Sequence, residues 1–157
     1  MHIARKLADI CAQNITIAVA ESCTAGLLSS RIASIPGSSN YFKGGIIAYK
    51  NQIKIDFLGV SESLIKKRTA VSEEVVIHMA SYIRQQFSVD YAVAISGYTG
   101  PTGGNKENPI GTVYISVASK FNILVERFNF KGERSSVATE AVEQALSLLY
   151  NQIKDKK

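Results

Sequence analysis

The chain has 157 residues, room for one domain of ordinary size. Hydrophobic residues make up 46% and charged residues 20%, enough apolar side chain for a packed core and too much for a disordered tail. With 18 Lys and Arg against 13 Asp and Glu, the net charge of +5 raises phosphate or nucleic acid as a partner without deciding it.

No apolar run approaches the ~20 residues of a membrane helix, so no membrane association is expected. The N-terminal MHIARKLADICAQN is amphipathic and charged, unlike the apolar core of a signal peptide, which points to a cytoplasmic protein. Cys11 and Cys23 form no CxxC pair and are too few for a disulfide framework. With His2 and His78 the only histidines, a His-rich metal site is not expected and a Ser-His-Asp triad has few candidates.

In chain order, Ile3, Leu7, Ile10 and Cys11 make a helical stripe, and the β-branched run at 15–19 reads as a strand. Residues 24–35 predict a second helix, stopped by Pro36-Gly37. A buried strand follows at 45–49, then a short basic helical region. Ser72 is an N-cap with Glu73 and Glu74 in the first turn, and Val76, Met79, Ala80, Ile83 and Phe87 continue at helical spacing. Residues 91–95 are apolar on both faces, as a central strand requires. The turn-rich stretch 97–109 leads to strands at 111–118 and 123–130, whose short connection predicts antiparallel pairing. A last helix carries Val137, Ala141, Ala145, Leu148 and Gln152 along one side, and 154–157 reads as a disordered basic tail. The pattern predicts a single domain over 1–157: a three-layer α/β/α sandwich with a mixed, mostly parallel sheet of about five strands.

Four segments could carry chemistry. Ala20-Glu21-Ser22-Cys23-Thr24-Ala25-Gly26 joins a strand to a helix, where open α/β sheets place their ligands. The helix that follows would aim free N–H groups at whatever Ser22 faces, although Ser22 or Thr24 can equally serve as a simple cap. Cys23 is a second candidate nucleophile, or a small buried thiol. Next come Tyr49, at a strand end, and Lys54, one turn further on. A serine without a histidine needs another base, and a lysine serves if burial lowers its pKa; the plainer reading is a solvated lysine. Ser96-Gly97-Tyr98-Thr99-Gly100-Pro101-Thr102-Gly103-Gly104 follows a buried strand and is either a phosphate-approaching loop or a surface loop. It is neither a Walker A loop nor a Rossmann fingerprint. Finally, Arg134 opens the last helix, positioned for a phosphate or for solvent. Ser63-Leu-Ile-Lys66 matches an S-x-x-K pattern but lies in a polar helix without companion motifs.

Together these segments resemble the CinA C-terminal-domain family, whose characterised enzymes are PncC-type nicotinamide-mononucleotide deamidases. The resemblance runs from about residue 3 to residue 150. It rests on AESCTAG at 20–26, PGSSNYFKGGIIAYKNQIKIDFLGV at 36–60, AVSEEV at 70–75, the glycine loop with NPIGTVYISV, and KGER at 131–134. It implies a metal-free and cofactor-free amidohydrolase that converts nicotinamide mononucleotide and water to nicotinate mononucleotide and ammonia. The family serine falls on Ser22, its tyrosine on Tyr49 and its lysine on Lys54. Substrate contacts are implied at Glu21, Cys23, Thr24, Gly45, Ser96, Gly97, Gly100, Gly103, Gly104 and Arg134, and a homo-oligomer is implied as well. The departures are Ala25 where the family usually has glycine, Ser96, Tyr98, Thr99 and Thr102 in the glycine loop, with Tyr98 where an aliphatic residue is common, and Ala138 where many relatives have arginine.

On this reading Lys54, neutral in a desolvated site, takes the Ser22 proton, with Tyr49 orienting or relaying it. The alternative is a non-catalytic nucleotide- or phosphate-binding domain tied to competence or DNA damage. Nucleic-acid binding is the weakest reading. Lys66, Lys67 and Arg68, with the net charge of the C-terminal Lys154-Asp155-Lys156-Lys157, account for the whole surplus and lie away from every motif.

Overall fold

The computed structural model describes residues 2–156. The elements are α1 Ile3–Cys11, β1 Ile17–Glu21, α2 Leu27–Ala33, β2 Phe42–Ile47, α3 Asn51–Leu58, α4 Glu62–Arg68, α5 Glu73–Gln86, β3 Tyr91–Gly97, β4 Thr112–Ser119, β5 Ile123–Asn129 and α6 Arg134–Lys154. The sheet order is β2-β1-β3-β4-β5. β1 pairs parallel with β2 and β3, while β4 pairs antiparallel with β3 and β5, so β4 alone runs against the others.

The period of two along the strands sorts side chains by size between two cores. Ile17, Val19, Val93, Ile95, Ile115 and Val117 point to the face covered by α1, α2 and α6. Ala18, Ala20, Ala92, Ala94 and Ala118 point the other way, toward α3, α4 and α5. Alanines on that face leave room for the apolar side of α5 (Val75, Val76, Met79, Ala80, Ile83) to lie close on the central strands. This is the expected α/β/α sandwich.

Local chemistry moves several boundaries. β1 starts at Ile17 because the Thr16 amide and hydroxyl are taken by Asp90 Oδ2, at 2.8 and 2.9 Å, before the ladder begins. The expected helix at 24–35 shortens because Ala25 and Gly26 have positive φ of 47° and 99°. The basic helical region is two helices: Gly59, at φ 64°, ends α3, and the Ser61 hydroxyl accepts from the Leu64 amide to start α4. On α6 the buried stripe runs through Val137, Ala141 and Ala145 and then drifts to Leu149 and Ile153, leaving Leu148 and Gln152 half-buried. At 100° per residue, each step of four along this row turns it by about 40°, so the buried row winds slowly around the helix. Lys154, expected in a disordered tail, lies in α6, and Lys157 lies outside the described residues. Lys66 of the S-x-x-K pattern makes an exposed pair with Glu62 on α4.

The parallel half of the sheet positions the site. Glu21 pairs with Ile47 on one side and Ile95 on the other, so the segments that follow β1, β2 and β3 leave from one sheet edge. Gly45, expected to touch substrate, lies within edge strand β2, beside Val19. A Cβ there would come within 2.6 Å of the Val19 carbonyl oxygen, a backbone atom that cannot swing away. Gly45→Ala is therefore expected to destabilise the fold by about 1–3 kcal/mol in a denaturant titration. An unchanged midpoint would show that the two strands can separate at no cost.

Candidate functional site

Ser22 is the first residue after β1, and its amide donates to the Ile95 carbonyl at 3.0 Å, which fixes it over the end of β3. Lys54, in the first turn of α3, turns its side chain inward toward that serine. Its Nζ lies 2.9 Å from Ser22 Oγ, 2.7 Å from the Ala48 carbonyl and 3.5 Å from the Tyr49 carbonyl. Lys54 is 1% exposed and Ser22 8% exposed. Burial pulls the lysine pKa down from its ordinary 10.5 to about 8. The three oxygens suit a neutral amine: two carbonyls accept its two N–H bonds, and the lone pair is left for the serine proton. A lysine expected by default at the surface is thus a buried base candidate in contact with the candidate nucleophile.

Glu21, expected among the substrate contacts, serves the helix instead. It is fully buried, and its Oε1 accepts from the Thr24 hydroxyl at 2.6 Å and from the Gly26 and Leu28 amides at 3.2 and 2.9 Å. Its Oε2 accepts from the Ser29 amide at 3.0 Å and the Ser29 hydroxyl at 2.6 Å. The carboxylate thus occupies the N-terminus of α2 that an anionic ligand was expected to use, and Thr24 is committed to holding it. The amides of Cys23 and Thr24 are not among its partners. Burial pushes the Cys23 thiol up to about 12, so it stays protonated and is a poor nucleophile. Ala25 occupies the left-handed region, which costs a non-glycine residue about 1–2 kcal/mol and accounts for glycine in the resembling sequences.

Tyr49, expected to orient or relay the serine proton, is brought to the site. Its hydroxyl accepts from Arg134 Nη2 at 2.6 Å, while Arg134 Nη1 donates to the Gly100 carbonyl at 2.8 Å. Through its phenol, therefore, Tyr49 anchors an arginine; its link to Lys54 is the weak backbone contact. Two cavities meet over this arrangement. The larger, about 420 Å³, is lined by Ser22, Lys54, Ser96 and Val71; the smaller, about 160 Å³, by Cys23, Thr99, Gly100, Thr102 and Arg134. Ser22, Tyr49, Gly97 and Tyr98 line both. Gly103 and Gly104 line neither and belong to the back of the loop, where Gly103 packs near the Tyr98 ring and Gly104 near Pro109 and Ile110.

Thr69, Ala70 and Val71, which form a wall of the larger cavity, were not singled out as site residues. Their carbonyls accept from the Ser72 hydroxyl, the Ser96 hydroxyl and the Asn108 side-chain amide, at 3.1, 2.8 and 3.1 Å. Thr69 itself has φ 65°, unusual for a β-branched residue. The only sequence signal was the AVSEEV segment, which read as a helix start. Ser96 thus reaches the cleft by tying down this wall.

The chain matches the family model described as CinA C-terminal domain over residues 2–153. It is 46% identical over 136 residues to a CinA-like protein of Thermosipho melanesiensis, covering 85% of this chain and 34% of the relative. It is 44% identical over 139 residues to a CinA-like protein of Thermotoga maritima, covering 88% of this chain and 34% of that one. The chain thus spans about a third of the length of the curated relatives it matches. Among solved structures, a competence or damage-inducible protein from Enterobacter asburiae superimposes with a TM-score of 0.92 at 30% identity, covering 96% of each chain. A CinA-superfamily protein from Klebsiella pneumoniae gives 0.93 at 28% identity, covering 98% of this chain and 96% of that one.

Two outcomes follow from the buried charges. Glu21→Ala removes the acceptor of three amides and two hydroxyls and should cost about 3 kcal/mol or more in a denaturant titration; a loss below ~1 kcal/mol would show that water replaces the carboxylate. Because the folded pKa of Lys54 lies below its unfolded value, this lysine takes up a proton on unfolding between pH 8 and 10.5 and so contributes a rise in stability with pH across that window, opposed above about pH 9 by Cys23, whose folded pKa is raised. The penalty is fully present below pH 8. Lys54→Met should lack this rise, and an unchanged slope in the variant would place its source elsewhere.

Proposed function

The chain belongs to the CinA C-terminal domain family, and on that premise we propose that it hydrolyses the carboxamide of nicotinamide mononucleotide to nicotinate mononucleotide and ammonia. The observation that carries this reading is the 2.9 Å contact between Ser22 Oγ and the desolvated Lys54 amine. A serine hydroxyl is a weak nucleophile until a base takes its proton, and a lysine with a pKa near 8 is partly neutral at physiological pH.

In the proposed reaction the Ser22 proton moves to Lys54 Nζ as Oγ bonds to the carboxamide carbon, and the carbonyl π pair moves onto oxygen. The amides of Cys23 and Thr24, left free of Glu21, are the donors proposed for that oxyanion. Lys54 then passes its proton to the amide nitrogen, the C–N bond breaks with its electrons going to nitrogen, and ammonia departs. The acyl group remains on Ser22 as an ester. Water, losing a proton to Lys54, attacks the ester, and Ser22 leaves with that proton restored. Throughout, the Ala48 and Tyr49 carbonyls hold the amine in either protonation state, so the same group serves as base and acid.

A phosphate is proposed to be held by Arg134. The guanidinium has five N–H donors, and its bonds to Tyr49 and Gly100 aim it across the smaller cavity while leaving donors for a ligand. A remote anion held there would fix the reacting carbonyl at Ser22.

The test is ammonia release from nicotinamide mononucleotide. Ser22→Ala should lower kcat by roughly 10³-fold or more, and the wild-type rate should rise with pH through an apparent pKa near 8 as Lys54 loses its proton. Lys54→Met should be slow at every pH, without that limb. Binding of the nucleotide with no ammonia released at any pH would turn the reading to a non-catalytic nucleotide-binding domain.

A further inference from the structure

Tyr98 is the first residue beyond β3, yet its backbone is held as firmly as a strand's. Its amide donates to the Thr112 carbonyl at 2.9 Å, and its carbonyl accepts from the Gly111 amide at 2.7 Å. Two backbone bonds therefore join the strands beyond the Gly97–Val113 pair, the second displaced by one residue to Gly111 because the Thr112 amide donates to the Pro109 carbonyl. The ring is half-buried, backed by the alanine-rich core beneath α5. The loop closes over it: a Cβ added at Gly103 would stand 3.2 Å from its Cδ1. A ring fixed at its backbone, its back and its loop side has little freedom to withdraw from the cleft.

That ring lines both the cavity containing Ser22 and Lys54 and the smaller one containing Arg134. A ligand that spans the two, with one end on the arginine and the other at the serine, passes the residues common to both cavities, Tyr49, Gly97 and Tyr98, and of these Tyr98 is the aromatic ring not tied to Arg134. The ring face carries the negative side of the aromatic quadrupole, which favours flat partners and, above all, positively charged ones.

Resting on the reading above, we propose that Tyr98 is a specificity-determining residue that selects ligands carrying a planar, cationic heteroaromatic ring between the reacting amide and the phosphate. The nicotinamide of the proposed substrate is such a group: a pyridinium with its charge in the ring. An aliphatic residue at 98 would fill space without offering a π face, so the site would lose its preference for the charged ring while keeping its phosphate contact.

The experiment measures binding by calorimetry in the Ser22→Ala background, where no turnover interferes. Tyr98, Y98F, Y98I and Y98L proteins are each titrated with nicotinamide mononucleotide, with its reduced dihydropyridine form, whose ring is uncharged, and with ribose 5-phosphate. Y98I and Y98L should weaken nicotinamide mononucleotide about three- to tenfold, leave ribose 5-phosphate within about twofold, and erase the preference for the oxidised over the reduced ring. Y98F should keep all three affinities within about twofold.

Thermal melts identify which variants fold. If Y98I does not, Y98L and Y98F still decide. Unchanged nicotinamide mononucleotide binding in the aliphatic variants overturns the proposal, as does an equal loss for ribose 5-phosphate, which would make Tyr98 a packing residue of the loop. No measurable nucleotide binding with Tyr98 in place overturns it as well. Ammonia release by the Ser22 protein is read separately: selectivity without release sinks the deamidase reading and leaves the ring's role standing, and release without selectivity does the reverse.

Discussion

The site depends on one arrangement: a lysine amine taken out of water and surrounded by neutral oxygens, with no carboxylate contact among its hydrogen-bond partners in the described residues. A carboxylate in contact would have held the amine charged. Carbonyl oxygens instead accept hydrogen bonds from either form, so the desolvation of the charged form is what sets the pKa. The surrounding fold supplies the conditions for this. The Ser22 amide is pinned to β3, Ala48 is joined to β1 through its amide on the Glu21 carbonyl, and α3 begins close enough for its first turn to reach back to both.

A negative group does lie one residue from Ser22, and the way it is handled preserves that arrangement. The Glu21 side chain points away into the start of α2, where five donors satisfy it. The alternation of side chains along a strand separates the two chemistries: Glu21 serves one side of the sheet edge and Ser22 the other. The cost falls on the short connection between them, where Ala25 accepts a left-handed backbone so that α2 can receive the carboxylate.

The layer order, the antiparallel pairing of β4 with β5 and the central strands were legible in the sequence, because apolar alternation and loop length are local signals. Gly59 could have shown the break between α3 and α4, although the run of lysines around 66 masked it. Two features of the site were not legible. Nothing local distinguishes Lys54 from a surface lysine, since its burial depends on β1 and β2 lying side by side, 32 residues apart at the contact with Ser22. Glu21 reads as a site residue because it adjoins one, and only the three-dimensional course of the chain brings Leu28 and Ser29 onto its carboxylate. The family resemblance pointed to both positions but could not separate a group that faces the cleft from one that supports it. The same holds for Gly45, required by the approach of Val19.

The reversed strand β4 divides the molecule into two kinds of territory. Ser22, the Ala48 carbonyl and Lys54 all come from β1, β2 and α3, on the parallel side. Tyr98, Gly100 and Thr102 come from a long hairpin connection between β3 and β4, closed at its base by the Tyr98–Thr112 and Gly111–Tyr98 hydrogen bonds. Residues within such a connection can be exchanged while the strands on either side keep their register. Drift in that one hairpin can therefore reshape the cleft without disturbing the Ser22–Lys54 contact, which belongs to the other half of the sheet.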